Sequence, residues 1–354
     1  MISRKARLKD IAILSGVSIG TVDRVMHNRG QVAEKTRKKV LEVAKELNYT
    51  PNIMARALKT KRSYNLVSLL PGSADANSFW KKHPEGMIKA ISELDHFPVS
   101  INQFNFDLDS SEEFQQQAAN VLKQNPDGLI LAPVHRRESI TFCEKLKKKK
   151  IPFIFVDNFL TETAFLSYIG EDIFRSGRVA GQLASIVTPA GKDVLIVNIA
   201  RNIQNMHHLN KRAKGFLNFF SETGDKRHKI LKLNIPDIEY KTVKVLIDRT
   251  FYKNPEISTI FVTGSKSFVI AEYINSAGYA PVNIIGYDLL DKNVFYLKKG
   301  IIKFIIGQRP EEQTYRAVKK LFDYLALNKI PDKFDYLPVD IVTSENVDFF
   351  INNH

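Results

Sequence analysis

The chain of 354 residues contains one cysteine, Cys143, and one tryptophan, Trp80. A single thiol excludes an internal disulfide framework, and with it the small stapled folds of secreted proteins. No long apolar run is present. Stretches such as Pro152 to Asp157 are short and end in Gly, Pro, Asp or Asn, far from the roughly 20 residues of a membrane span. The basic start, Met1 to Arg7, lacks the apolar stretch of about 7–15 residues that a secretory signal needs. The protein is therefore expected in the cytoplasm, with no membrane partner. Catalytic signatures are missing as well: there is no nucleophile elbow, His-Glu-x-x-His, Walker loop or Gly-x-Gly-x-x-Gly. His207-His208 has no companions at metal-ligand spacing and reads as surface. Neither a metal nor a cofactor is expected, and the chain reads as a non-enzyme.

What is present is an ordinary globular composition, 44% hydrophobic, in a chain too long for one core of at most about 250–300 residues. The charge is uneven. Residues 1–62 hold fifteen Lys or Arg against five Asp or Glu, an excess of ten; the net charge is +14, which leaves +4 for residues 63–354. Such asymmetry is the footprint of a phosphate-backbone partner bound by the amino-terminal segment.

That segment reads as three short helices. Leu8, Ile11 and Ala12 share one helical face, and Gly16 breaks it. Ser18 stands where an N-cap belongs, and Val22, Val25 and Met26 form the next apolar face. Val40, Val43, Ala44 and Leu47 form a third, stopped by Asn48 and Pro51. Two helices joined by a tight Gly turn make a helix-turn-helix. If Val22, Val25 and Met26 face inward, then Ile19, Gly20, Asp23, Arg24 and His27 face outward. A recognition helix enters the major groove with its N-terminal residues leading. Ile19 suits a thymine methyl, Gly20 allows close approach, and Arg24 suits bidentate contact with guanine, or else a phosphate contact or salt bridge.

Leu8-Lys9-Asp10-Ile11-Ala12, then Gly16 through Val25, then Asn48-Tyr49-Thr50-Pro51-Asn52, in that order, resemble the headpiece of the LacI family of transcription regulators. The chain departs from the family's habit at Asp23, where Ser is usual, and at Ala33, where Ser or Thr usually caps the third helix. The resemblance implies that Ser18, Ile19, Gly20, Thr21, Arg24, His27 and Asn28 meet double-stranded, pseudo-palindromic operator DNA. Residues 52–59 resemble the family's hinge helix, with Asn52 as cap and with Ala55 and Leu58 on one face. The resemblance makes Leu58 a minor-groove wedge, of the kind that unstacks a base step and bends the duplex.

From residue 64 onward, short apolar runs alternate with helical patterns. Strand-like runs are Asn65–Leu70, Val99–Phe106, Gly128–Ala132, Pro152–Asp157, Asp193–Asn198, Lys229–Leu233, Thr259–Thr263, Asn283–Tyr287, Ile301–Ile306 and Leu337–Val342. Amphipathic stretches such as Ser111–Gln124, Glu138–Lys149, Ile173–Val187 and Glu311–Asn328 lie between them. This alternation predicts parallel sheets covered by helices, and ten strands over this length predict two lobes. Ligands bind at the carboxyl ends of such strands. Polar groups end three of them: Asp157-Asn158, Asp288, and Gln308-Arg309. They suit a hydroxyl-rich ligand, and equally they suit turn and helix caps.

Asp127 to Leu131, Ile151 to Asp157, Arg212 to Phe216, Ile285 to Asp288 and Pro338 to Thr343 resemble the family's periplasmic-binding-protein-like sensor, most of all its ribose-type branch. The resemblance implies effector contacts at Asp157, Arg212, Asp288 and Gln308, with Phe79 and Trp80 against a sugar ring. Gly264-Ser265 stands where the family often has Asn-Asp. His135-Arg136-Arg137 reads either as a carboxylate partner favouring an acidic sugar or as solvated helix-start residues.

The expected architecture is thus multi-domain: an all-α helix-turn-helix headpiece (1–51), a hinge helix and linker (52–63), and a two-lobed α/β parallel-sheet domain (64–354) of periplasmic-binding-protein type I form. The expected function is that of a homodimeric repressor whose operator affinity follows a small-molecule effector, a carbohydrate. Rival readings are a transport protein, an enzyme on an α/β scaffold, and an architectural DNA binder without a ligand.

Overall fold

The computed structural model describes residues 6–26, 30–47, 49, 62–72, 77–201, 207–279 and 281–351. The chain divides into two compact units, Met1–Thr60 and Lys61–His354.

The first unit contains α1 (Leu8–Ser15), α2 (Ile19–Met26) and α3 (Glu34–Glu46). Its core is Ile11, Ala12, Val22, Val25, Val40 and Ala44, with Leu8, Val17, Met26, Val43 and Leu47 packed around them. These are the positions that the 3.6-residue period places inward. Asp10 accepts from the Arg7 N–H at 2.8 Å and satisfies the start of α1. Gly16 ends that helix with φ 69°, a left-handed conformation that glycine adopts without strain. The Ser18 hydroxyl accepts from the Thr21 N–H at 3.1 Å and caps α2. Ala33 offers α3 no side-chain cap.

The second unit runs β1 (Tyr64–Pro71), a 3-10 turn (Phe79–Lys82), α4 (His83–Ser92), β2 (Val99–Phe106), α5 (Ser111–Lys123), β3 (Gly128–Leu131), α6 (Arg136–Lys148), β4 (Phe153–Val156) and β5 (Ser167–Gly170). It continues with α7 (Ile173–Val187), β6 (Asp193–Ile199), α8 (His207–Thr223), β7 (Ile230–Ile235), α9 (Tyr240–Lys253), β8 (Ile257–Val262), α10 (Ser267–Ala277) and β9 (Asn283–Tyr287). It ends with α11 (Asp291–Lys298), β10 (Ile302–Gly307), α12 (Pro310–Leu327), β11 (Phe334–Tyr336), β12 (Asp340–Val342) and α13 (Val347–Ile351). One sheet has the order β11-β5-β4-β3-β1-β2, the other β12-β10-β9-β8-β6-β7. All pairs are parallel except β10 with β12.

Each sheet is the centre of one lobe. Strands β3, β4 and β5 are buried throughout and the other inner strands over most of their length, whereas β2 and β7, at the edges, expose part of theirs. That burial explains their unbroken apolar runs, because a parallel sheet is covered on both faces. Ten of the twelve strands among the described residues coincide with runs read from the sequence. The other two, β5 (Ser167–Gly170) and β11 (Phe334–Tyr336), carry no apolar run longer than two residues. The chain crosses between lobes three times: from β5 to α7, which packs on β8, β9 and β10; from β10 to α12, which packs on β3, β4 and β5; and from β11 to β12.

Candidate functional site

In the first unit, α2 separates its two faces sharply. Val22 and Val25 are buried, while Ile19, Gly20 and Arg24 are exposed, Ile19 by 49%. Ser18 and Thr21 hold the start of the helix together, their hydroxyls 3.0 Å apart. Asp23, expected on the outer face, is half-buried. Burial raises the Tyr49 hydroxyl, and the charge of Asp23 adds to this, so Asp23 lies toward Tyr49. His27, Asn28, Asn52, Ala55 and Leu58 lie outside the described residues. So does most of the expected hinge helix.

In the second unit, a cleft of about 290 Å³ lies between the lobes. Trp80, Asp109, Asp157 and Asn158 line it from the first lobe, and Arg201, His208, Asp237, Gly264, Ser265 and Lys266 from the second. Gly264 and Ser265 thus occupy the wall where the family's polar pair was expected. Trp80 is 7% exposed and stacks on His83 at 4.6 Å. Burial lowers His83 to about 3, so that ring is neutral. Phe79, on the same 3-10 turn, meets Trp80 edge-on at 5.2 Å. It faces a different opening, of about 750 Å³, which Asp288 and Gln308 also line.

At the cleft wall and behind it, the two lobes contribute equivalent positions. Asp157 follows β4 and Asp288 follows β9, each the fourth strand of its lobe in chain order. Both have left-handed backbones, φ 65° and 69°, a conformation that costs a non-glycine residue about 1 kcal/mol or more and that clusters at functional sites. Glu171 and Gln308 follow the fifth strands, after Gly170 and Gly307. The Asp157 N–H donates to Gln313 Oε1 at 2.9 Å, Gln313 Nε2 donates to the Gln308 carbonyl at 3.2 Å, and Gln308 Nε2 donates to Asp288 Oδ1 at 2.8 Å. One hydrogen-bonded chain therefore links the two aspartates.

Arg212 sits beneath them on α8, 3% exposed, against Glu171, 1% exposed. Nε and Nη2 both donate to Glu171 Oε1, at 2.7 and 2.6 Å, and Nη1 donates to the Thr263 carbonyl at 2.9 Å. The guanidinium lies 3.7 Å from the centre of the Tyr287 ring. Burial pushes both aspartates up to about 7, although Arg212 pulls each the other way. The physical cause is plain: three carboxylates surround one cation where water is scarce, and they cannot all ionise freely.

Of the expected effector residues, the structure places Trp80 and Asp157 on the cleft wall. Asp288 and Gln308 lie behind it, joined to Asp157 by the chain just described, and Arg212 is held below. Glu171 went unread because no visible strand end marked it; the only hint was Gly170-Glu171-Asp172 ahead of a helix, and Asp172 does cap α7. His208 was read as surface together with His207. His207 is exposed, whereas His208 lines the cleft, and burial, with Arg212 and His207 nearby, lowers it to about 3. His135 and Arg136 do start a helix; Arg136 pairs with Glu162, and neither lines the cleft. Cys143 is buried and pushed up to about 12, an unreactive thiol. Among the described residues, no three His, Cys, Asp or Glu gather into a metal-holding group, and no helix is long and apolar enough to cross a membrane.

Comparison with known proteins agrees with this layout. Residues 7–52 match the family of bacterial regulatory proteins, lacI family, and residues 67–329 match the periplasmic binding protein domain. The HTH-type transcriptional regulator DegA of Bacillus subtilis is 32% identical over 154 residues, 43% of this chain and 44% of that protein. The sucrose operon repressor of Escherichia coli is 31% identical over 168 residues, 47% of this chain and 48% of that protein. The matched region therefore spans about half the length of these relatives. Among solved structures, a protein from Bacteroides fragilis taken to be a LacI transcriptional regulator superposes with a TM-score of 0.74 at 27% identity, covering 81% of this chain and 99% of that one. A periplasmic ribose ABC transporter protein from Conexibacter woesei superposes at 0.71 with 19% identity, covering 83% and 96%, a likeness of fold alone.

Proposed function

The chain belongs to the periplasmic binding protein family over residues 67–329 and carries the lacI-family regulatory domain over residues 7–52, and from that premise we propose that it is a transcription regulator, a repressor whose hold on operator DNA is set by a sugar or sugar derivative. The observation that carries the proposal is the pairing, in one chain, of an exposed recognition-helix face with an interlobe cleft walled by Trp80 and Asp157 and backed by Asp288 and Arg212. The name of the sucrose operon repressor points the same way.

In this reading Ser18, Ile19, Gly20, Thr21 and Arg24 meet the major groove, with His27 and Asn28 beyond them. Asn52, Ala55 and Leu58 serve a hinge helix in the minor groove. A homodimer in the cytoplasm places two such headpieces on the two half-sites of a pseudo-palindrome. Trp80 and Asp157 hold the effector directly, Phe79, Asp288 and Gln308 complete its surroundings, and Arg212 supports them from below. No catalytic step is assigned to the cleft. Because the chain passes three times between lobes, an effector that bridges them favours the closed arrangement, and operator affinity shifts by the effector's differential affinity for the two states.

The test is fluorescence anisotropy on an operator duplex selected from random DNA, with and without candidate sugars. The expected outcome is tight, salt-dependent binding that changes by about fivefold or more at saturating effector. Operator affinity that no sugar alters would refute the coupling.

A further inference from the structure

Resting on the function proposed above, one step further concerns which sugars the cleft accepts. We propose that Glu171 decides this: by holding Arg212 it withdraws the guanidinium from recognition, so the cleft takes an uncharged, hydroxyl-donating sugar and rejects sugar acids and phosphosugars.

Arginine is the residue best suited to carboxylate and phosphate, through its paired N–H groups. Here three of its five N–H groups are already engaged. Nε and Nη2 point at Glu171 Oε1, Nη1 at the Thr263 carbonyl, and one face is covered by Tyr287. Arg212 does not reach the cleft wall. The side chains around it add negative charge: Glu171, Asp157 and Asp288 against one guanidinium. Two further cations, Arg201 and Lys266, do line the cleft, but Asp109 and Asp237 line it with them. Arg136, the other candidate for an acidic ligand, pairs with Glu162 and does not line the cleft.

Unused hydrogen-bonding capacity has the opposite sign. Glu171 Oε2 and Gln308 Oε1 are both buried, and neither has a hydrogen-bond partner among the described residues. Each belongs to the residue that follows the fifth strand of its lobe. Both atoms are acceptors, so both need donors. Both lie behind the cleft wall, where a donor from a hydroxyl-rich ligand suits them and a carboxylate or phosphate, with further acceptors and further negative charge, does not. A buried acceptor left without a donor is destabilising, which favours the ligand rich in hydroxyls.

Glu171 is thus a positioning residue, and its removal should change preference as well as stability. The experiment titrates the full-length protein near neutral pH with D-ribose, D-glucose, D-galactose and D-fructose, then with D-glucuronate and D-glucose 6-phosphate, by calorimetry and thermal shift. The parent should bind its best neutral sugar at least about tenfold more tightly than either anion. Glu171→Gln frees Arg212 and should shrink that ratio by about tenfold or invert it. Glu171→Asp keeps the carboxylate and should preserve the ratio, and it stands with the parent ranking should Glu171→Gln fail to fold. An anion that binds the parent as tightly as the best neutral sugar overturns the proposal, as does a Glu171→Gln protein with an unmoved ratio. If such an anion also shifts operator affinity, the sugar-responsive function stands and only the role of Glu171 falls. If no sugar of either kind binds, both fall.

Discussion

Two helices of the second unit approach so closely that adding one methyl group should disturb the cleft floor. Gly177 on α7 and Gly215 on α8 face each other: a Cβ at Gly177 would lie 2.1 Å from the Arg212 carbonyl oxygen, and one at Gly215 would lie 2.0 Å from that of Phe174. Carbon and carbonyl oxygen ordinarily rest about 3.3 Å apart or more, so Gly177→Ala requires α8 to retreat by roughly 1 Å. Helix propensity alone predicts the reverse of harm, since replacing a mid-helix Gly with Ala stabilises by about 0.8–1.0 kcal/mol. Overpacking costs about 1–3 kcal/mol. The retreat also carries Arg212 away from Glu171 and stretches contacts now at 2.6 and 2.7 Å; fully parting a buried pair costs about 3–5 kcal/mol. The net expectation is a loss of about 2–5 kcal/mol. Urea unfolding of the second unit, followed by circular dichroism and by the fluorescence of Trp80, measures it. Gly191→Ala is the control: its φ is +77° and nothing lies within 4 Å of the added Cβ, so only the left-handed strain of about 1–2 kcal/mol applies. A Gly177→Ala protein as stable as the parent would refute the claim that this close approach positions Arg212.

Three other expectations follow from the same geometry and from the sequence. Asp288 has its carboxyl raised from 3.8 to about 7 in the folded chain, so between those values the folded state holds the proton more firmly than the unfolded one. Its contribution to stability is therefore greatest at low pH and is lost as pH rises toward about 7, with a slope approaching 1.4 kcal/mol per pH unit. Asp288→Asn should remove that slope from urea midpoints compared across the range; identical pH profiles for parent and variant would refute it. Arg24→Ala should cost about 1–3 kcal/mol on the selected operator and relax preference at one base pair, whereas an equal loss on every sequence would make Arg24 a phosphate contact. Leu58→Ala should weaken operator binding while the second unit keeps its melting temperature, and unchanged anisotropy would remove the wedge.

Much of this molecule is legible in one dimension, and the reason is periodicity. Val22 and Val25 recur at a helical spacing, so the inward face of α2 follows from the sequence, and with it the outward position of Ile19, Gly20 and Arg24. Parallel strands buried on both faces leave unbroken apolar runs, and ten of them could be read directly. The charge excess before residue 63 marks the unit proposed to meet DNA without any structure. The limits have the same origin. Strands β5 and β11 carry no apolar run longer than two residues, so the first crossing between lobes and the residue placed there, Glu171, were invisible. Arg212 could be matched to an effector position, but its partner lies 41 residues away in sequence. Whether a guanidinium faces a ligand or a buried carboxylate depends on how two helices and a crossover pack around it, and no local pattern encodes that. The two units and the outward face of α2 belong to the sequence; the arrangement of three acids around one arginine belongs to the tertiary structure, because only the packing of α7 on α8 brings Glu171 within reach.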